Sequence, residues 1–255
     1  MCLILFAYKA HPSYRLIVAG NRDESYARPT APADFWKDEP EILAGRDLEK
    51  MGTWMGVTRD GKFAALTNYR DPKEMVVTSK LSRGDLVAGF LKGEMPAEAY
   101  MQAAETSKVL YPGYNLLAGD GTGLYHYSNI EGKIREIEPG IHGLSNHFLN
   151  TPWPKVERGK KGLRELLQTD EKDLRKNLFS LLQHAEPAPD DQLPDTGIGL
   201  EWERLLSPLF IRSKGYGTRC STVLLMEEEQ LTYIERIYEG DSFAEKEFIV
   251  PFKMK

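Results

Sequence analysis

Cysteine is scarce in this chain of 255 residues: only Cys2 and Cys220 occur, and neither stands in a Cys-x-x-Cys or Cys/His ligand spacing. A disulfide framework and a structural zinc site are both disfavoured. Neither is needed, because folding a chain of this size removes roughly 70–75% of its extended surface from water. An excess of basic charge is missing too. With 33 Lys and Arg against 38 Asp and Glu, the formal charge is −5, which gives no general attraction for nucleic acid or an anionic membrane. No apolar run approaches the ~20 residues of a membrane-spanning helix. The opening Cys2-Leu3-Ile4-Leu5-Phe6-Ala7 lacks a basic leader and meets Lys9 too early for a signal peptide, so the expected location is cytoplasmic, where Cys2 stays a thiol. Internal repeats and low-complexity segments are absent. What remains, 41% hydrophobic and 28% charged residues, is the composition of one globular domain over 1–255.

The order of elements narrows the fold. An apolar strand over 2–8 turns at His11-Pro12-Ser13 into a second strand over 14–20, which ends at the polar run Asn21-Arg22-Asp23-Glu24-Ser25. A Pro-rich passage over 28–40, with Trp36 inside it, predicts an ordered loop. Asp60-Gly61 predicts a hairpin between strands at 53–58 and 63–68. Helices are expected after Ser82 and Pro96, then strands at 114–118, 124–127, 134–137 and 141–145. Leucines at helical spacing predict helices over about 153–168 and 172–184, and the Pro- and Asp-rich 185–199 predicts a flexible surface loop. Strands at 219–226, 231–238 and 246–252 close the chain. This is no βαβ alternation. It predicts an α+β fold in which two antiparallel sheets pack face to face with helices outside, a four-layer α/β/β/α sandwich.

Cys2 carries the chemistry. Removal of Met1 would leave a residue with both a thiol and a free α-amine, which titrate near ~8.5 and ~8 and so supply nucleophile and base together. Asp23, ending the strand beside Cys2, is the candidate to hold that amine by a charge-assisted hydrogen bond. Asn68 and Asn146, each ending a strand, are candidate oxyanion donors. Arg219 stands where an irregular turn becomes a strand. Cys220 reads as packing in that strand, with oxidation to Cys2 as the alternative.

Asn21-Arg22-Asp23-Glu24, together with Met1-Cys2, Gly52-Thr53-Trp54-Met55-Gly56, Thr67-Asn68-Tyr69-Arg70, Gly143-Leu144-Ser145-Asn146 and Gly217-Thr218-Arg219, resembles the NRDE-domain proteins, the Transport and Golgi Organization 2 family. That family in turn looks like the N-terminal nucleophile hydrolases, which have the α/β/β/α sandwich and cut amide C–N bonds. The resemblance implies Cys2 as nucleophile, Asp23 as the amine-orienting residue, Asn68 and Asn146 at the oxyanion and Arg219 in the site, with Asn21, Arg22 and Arg70 as secondary candidates. Gly20 stands where the bile-salt and penicillin amidase branch carries an arginine, and strand alternation would turn Arg22 to the other face. No cofactor is implied for hydrolysis. The same resemblance implies an alternative, a carrier of haem or of a lipid or acyl-CoA ligand. The five histidines, His11, His126, His142, His147 and His184, come without a haem attachment motif.

Overall fold

A computed structural model describes residues 2–75, 80–168 and 171–252. The chain begins with β1 (Cys2–Tyr8) and β2 (Leu16–Ser25), then β3 (Thr30–Phe35), β4 (Ile42–Asp47) and the hairpin β5 (Met55–Thr58) and β6 (Phe63–Asn68). Three helices follow, α1 (Pro72–Met75), α2 (Gly84–Lys92) and α3 (Ala97–Thr106), and then four strands, β7 (Tyr114–Gly119), β8 (Leu124–Ser128), β9 (Lys133–Glu136) and β10 (Gly140–Leu144). Helices α4 (Pro154–Leu166), α5 (Glu171–Leu182) and α6 (Leu200–Leu205) precede β11 (Tyr216–Met226), β12 (Gln230–Glu239) and β13 (Ser242–Pro251).

The strands form two antiparallel sheets, one ordered β10-β1-β2-β11-β12-β13 and the other β3-β4-β5-β6-β7-β8-β9. Between them lies a core of Ile4, Phe6, Val18, Met55, Phe63 and Tyr233. On the outer face of the first sheet, Leu3, Leu5, Ile17 and Ala19 pack against Val156, Leu163 and Phe179 of α4 and α5. Leu86, Phe90 and Met101 of α2 and α3 cover Ala64, Leu116 and Tyr127 of the second. The expected α/β/β/α sandwich is what the chain adopts. It also explains why β1 is buried at every position: in a sheet covered on both faces, alternation has no polar side to show.

Three local expectations are corrected. The polar run at 21–25 continues β2 rather than ending it, so its side chains alternate across the sheet. The passage over 28–40 contains a strand, β3, because Pro32 sits on the sheet's edge inside an irregularity between Ala31 and Asp34, where no ladder hydrogen bond is demanded of it. The segment over 185–199 is tied down: Thr196 donates from N and Oγ1 to Glu203 at 3.0 and 2.5 Å, and Asp190 pairs with Arg204 at 2.5 Å.

Candidate active site

Strand pairing builds the site. Cys2 lies directly opposite Arg22, Arg22 opposite Cys220, and Cys220 opposite Ile237, so β1, β2, β11 and β12 present a row of four side chains to the same face. All four line a cleft of about 510 Å³ that is also lined by residues of the second sheet. Leu66 and Asn68 of β6 line it too, as do Trp54 just before β5 and Ser82, Arg83, Gly84 and Asp85 at the start of α2. The cleft lies within the size range of small-molecule sites. Gly52 sets one wall: a methyl on it would stand 2.6 Å from the Gly84 carbonyl carbon, so two bare backbones meet there.

Arg22 shares the cleft with Cys2, contrary to the alternation argument, which holds between Arg22 and Asp23 but not between Arg22 and Gly20. Positions 20 and 22 are two apart and face the same way. An arginine at 20 would be crowded from its first carbon, because a Cβ there would lie 3.1 Å from the Leu3 carbonyl oxygen and from the tips of Met55 and Trp54. Arg22, one pair further on, donates to Thr30 Oγ1 at 3.3 Å and stands 3.8 and 3.9 Å from Glu24 and Asp47. Burial pushes the Cys2 thiol up from its ordinary value, Asp23 adds to that, and Arg22 opposes it.

Asp23 alternates to the helix face, where its Oδ1 accepts from Thr218 Oγ1 at 2.6 Å. A bulge makes this possible. Thr218 pairs with Asp23 and Cys220 with Arg22, leaving Arg219 without an opposite residue, so Thr218 and Cys220 face different sides. Arg219 lines the cleft and donates to the carbonyls of Ser25, Tyr26 and Arg28 at 2.9, 3.3 and 2.7 Å, which clamps the turn between β2 and β3. Burial raises the Asp23 carboxyl, while Lys155, the Thr218 hydroxyl and Arg70 pull it down.

The remaining candidates separate. Asn68 borders the cleft. Asn146 is fully buried and not part of its lining; its Nδ2 donates to the Asn68 carbonyl at 3.0 Å, and its own carbonyl accepts from Arg70 N at 2.7 Å. Asn21 is a staple on the helix face, donating to the Leu182 and Leu209 carbonyls at 2.9 and 2.7 Å and accepting from Ser221 Oγ at 2.6 Å. Arg70 is buried against Glu203 at 2.6 Å, its guanidinium 4.6 Å from the centre of the Trp153 ring. The Cys2 carbonyl accepts from Ser145 Oγ at 3.2 Å, which ties the start of β1 to the residue before Asn146. Met1 and its removal lie outside the described residues.

Two buried charged residues of the site were not anticipated from the sequence. Glu235 lines the cleft beside Cys220 and accepts from Ala33 N at 2.6 Å; burial raises its carboxyl. Its signal was an acid in phase with Leu231, Tyr233 and Ile237 on an otherwise apolar strand face. Lys155 is 2% exposed, on the α4 stripe with Gly159 and Leu163. Cys220 packs as expected in β11 but also faces the cleft, and β2 separates it from Cys2. Two strand spacings, roughly 10 Å, exceed the reach of a disulfide, and both thiols are free.

Known proteins agree with this architecture. A solved structure of the Caenorhabditis elegans N-acylethanolamine-hydrolyzing acid amidase ortholog superposes with a TM-score of 0.52 over 88% of this chain and 92% of that one; at 11% identity the likeness is one of fold, that of the N-terminal nucleophile hydrolases. Homologs of Transport and Golgi organization protein 2 from Bos taurus and Homo sapiens are 37% and 35% identical, each over 92% of both chains. The family model described as Transport and Golgi organisation 2 matches residues 1–240, so the protein, with its NRDE run beside a cleft-facing Cys2, belongs to that family.

Proposed function

We propose that the cleft hydrolyses a small amide through Cys2 once Met1 is removed. The observation that carries this reading is the register of β1 on β2, which sets the Cys2 thiol on the cleft floor beside the Arg22 guanidinium with Asp23 at the next position. The thiol passes its proton to the Cys2 α-amine, and sulfur bonds to the substrate carbonyl carbon. Collapse of the tetrahedral intermediate breaks the C–N bond as the amine returns that proton to the leaving nitrogen. Water then cleaves the thioester and releases the acid. Asp23 orients the α-amine, Asn68 donates to the oxyanion from the cleft wall, and Asn146 positions Asn68 through its carbonyl. Arg219 holds the neighbouring turn and adds positive charge to the cleft.

The alternative reading, a carrier of haem or a lipid-like ligand, gains no support from histidine. None of the five lines the cleft: His126 is buried on Asn115, His142 stacks on Phe6, His147 binds Thr151, His184 meets Arg158, and His11 lies on the β1–β2 turn.

The test is a panel of N-acyl amide substrates incubated with the purified protein and with Cys2→Ala, alongside the intact mass of each. Loss of turnover by at least ~10³-fold in the variant is expected, as for removal of an essential nucleophile. Equal turnover in the two proteins, or a retained Met1 in an active wild type, overturns the mechanism.

A further inference from the structure

Lys155 breaks several local rules at once. It is 2% exposed, although burying an ammonium is costly unless it is paired. It occupies the second position of α4, where the helix dipole disfavours a cation. Its Nζ is buried and has no hydrogen-bond partner among the described residues. Arg70, a second buried cation, is close enough to repel it. A surface lysine of ordinary purpose would meet none of these conditions, and such conflicts between local preference and structure concentrate at functional positions.

The surrounding charges show what the cation serves. Helix α4 lies along β1, with Gly159 against Leu5 and Val156 against Gly143, so its first turn lies over the end of the sheet. Four ionisable groups from four different segments bear on Lys155: Cys2 of β1, Asp23 of β2, Arg70 just beyond β6 and Glu203 of α6. Tyr216 of β11 adjoins the same cluster through its hydroxyl, which donates to the Asp23 carbonyl at 3.2 Å. Arg70 pairs with Glu203 through Nη1 at 2.6 Å. Of the three acids that favour the Lys155 ammonium, Asp23 and then Cys2 come ahead of Glu203. The influence is mutual, since Lys155 is the cationic side chain that most lowers Asp23, and Asp23 in turn favours the ammonium. Burial holds the Lys155 ammonium down at about 8, a value that leaves it charged at neutral pH and neutral above it.

We propose that Lys155 is a positioning residue whose buried ammonium, shared between Asp23 and Cys2 from the helix face of the sheet, keeps Asp23 ionised and stabilises the Cys2 thiolate. This deepens the hydrolase reading but does not need a substrate for its test. The probe is iodoacetamide, which forms an S–C bond to the thiolate and releases iodide; the rate at Cys2 is followed by mass spectrometry of the N-terminal peptide from pH 6 to pH 10. In Lys155→Met the midpoint of the rate profile is expected to rise by about one pH unit, with roughly tenfold slower alkylation at pH 7, whereas Lys155→Arg restores the wild-type midpoint. A Lys155→Met profile that superposes on wild type overturns the proposal. Should that variant not fold, the Nζ resonance of Lys155 is titrated in the wild type and in Asp23→Asn: a lower midpoint in Asp23→Asn is expected, and an unchanged one overturns the proposal. Failure of every amide to turn over would remove the hydrolase and leave this coupling standing, and the same peptide reports whether Met1 is present.

Discussion

His126 illustrates how a single residue can be held in one protonation state. Asn115 donates through Nδ2 to Thr67 Oγ1 and the His147 carbonyl, so its Oδ1 is the acceptor and His126 Nε2 must carry the proton. The other ring nitrogen is buried without a hydrogen-bond partner, so a second proton there would have no acceptor, and burial holds the imidazole down at about 3. The unfolded chain therefore takes up this proton first on acidification. Stability from the neutral ring is complete above the ordinary value of 6.5 and drains away as pH falls towards 3. His126→Gln is expected to remove about 3 kcal/mol of the acid sensitivity between pH 7 and pH 4, read as the difference between urea midpoints of variant and wild type at the two values. At this scale the sequence revealed the residues that share short motifs, such as Cys2 and Asp23. It hid Lys155 and Glu235, because a charged residue on a buried phase is only recognisable once the covering layer is known.

At the scale of elements, the wall of the cleft depends on how α2 docks. The Gly84 carbonyl accepts from Thr53 N at 3.3 Å, and the close approach of Gly52 to Gly84 leaves no room for a side chain at Gly52. Gly52→Ala must push the start of α2 outward, since the atoms in the way belong to the main chain. A loss of about 1–3 kcal/mol is expected in chemical denaturation, the ordinary cost of overpacking, together with weaker ligand or substrate binding, because residues 80–85 line the cleft. The Gly52 to Gly56 block was visible as a motif, but its reason was not: the contact joins residues that are far apart in sequence. The same limit hid β3. Proline argues against a strand unless the strand is known to lie on an edge, and edge position is a property of the assembled sheet.

At the scale of the whole molecule the layer order was legible, because it follows from the succession of strand-like apolar runs and 3.6-residue helical periods along the chain: strands, helices, strands, helices, strands. Which strands become neighbours was not legible, yet that pairing makes the site. Strand β11 lies between β2 and β12 and so aligns the first residues of the chain with its last third. One position in that strand, Arg219, is an insertion relative to its neighbour. A codon lost there is therefore unlike a codon lost elsewhere in the strand, because the side chains around it keep their faces. Arg219→Ala forfeits the grip on three carbonyls but keeps the phase of everything around it. Deleting Arg219 removes the bulge and makes Thr218 the residue directly before Cys220, which leaves Thr218 opposite Asp23 on the helix face and Cys220 opposite Arg22 on the cleft face. The deletion and the substitution are expected to lower the melting temperature by similar amounts, since both lose the grip on three carbonyls and neither turns Thr218 or Cys220 to the other face. For a lineage exploring variants of this protein, the letter at 219 then carries the consequence, because the guanidinium holds the turn, whereas the extra residue can be lost without changing which side its neighbours face.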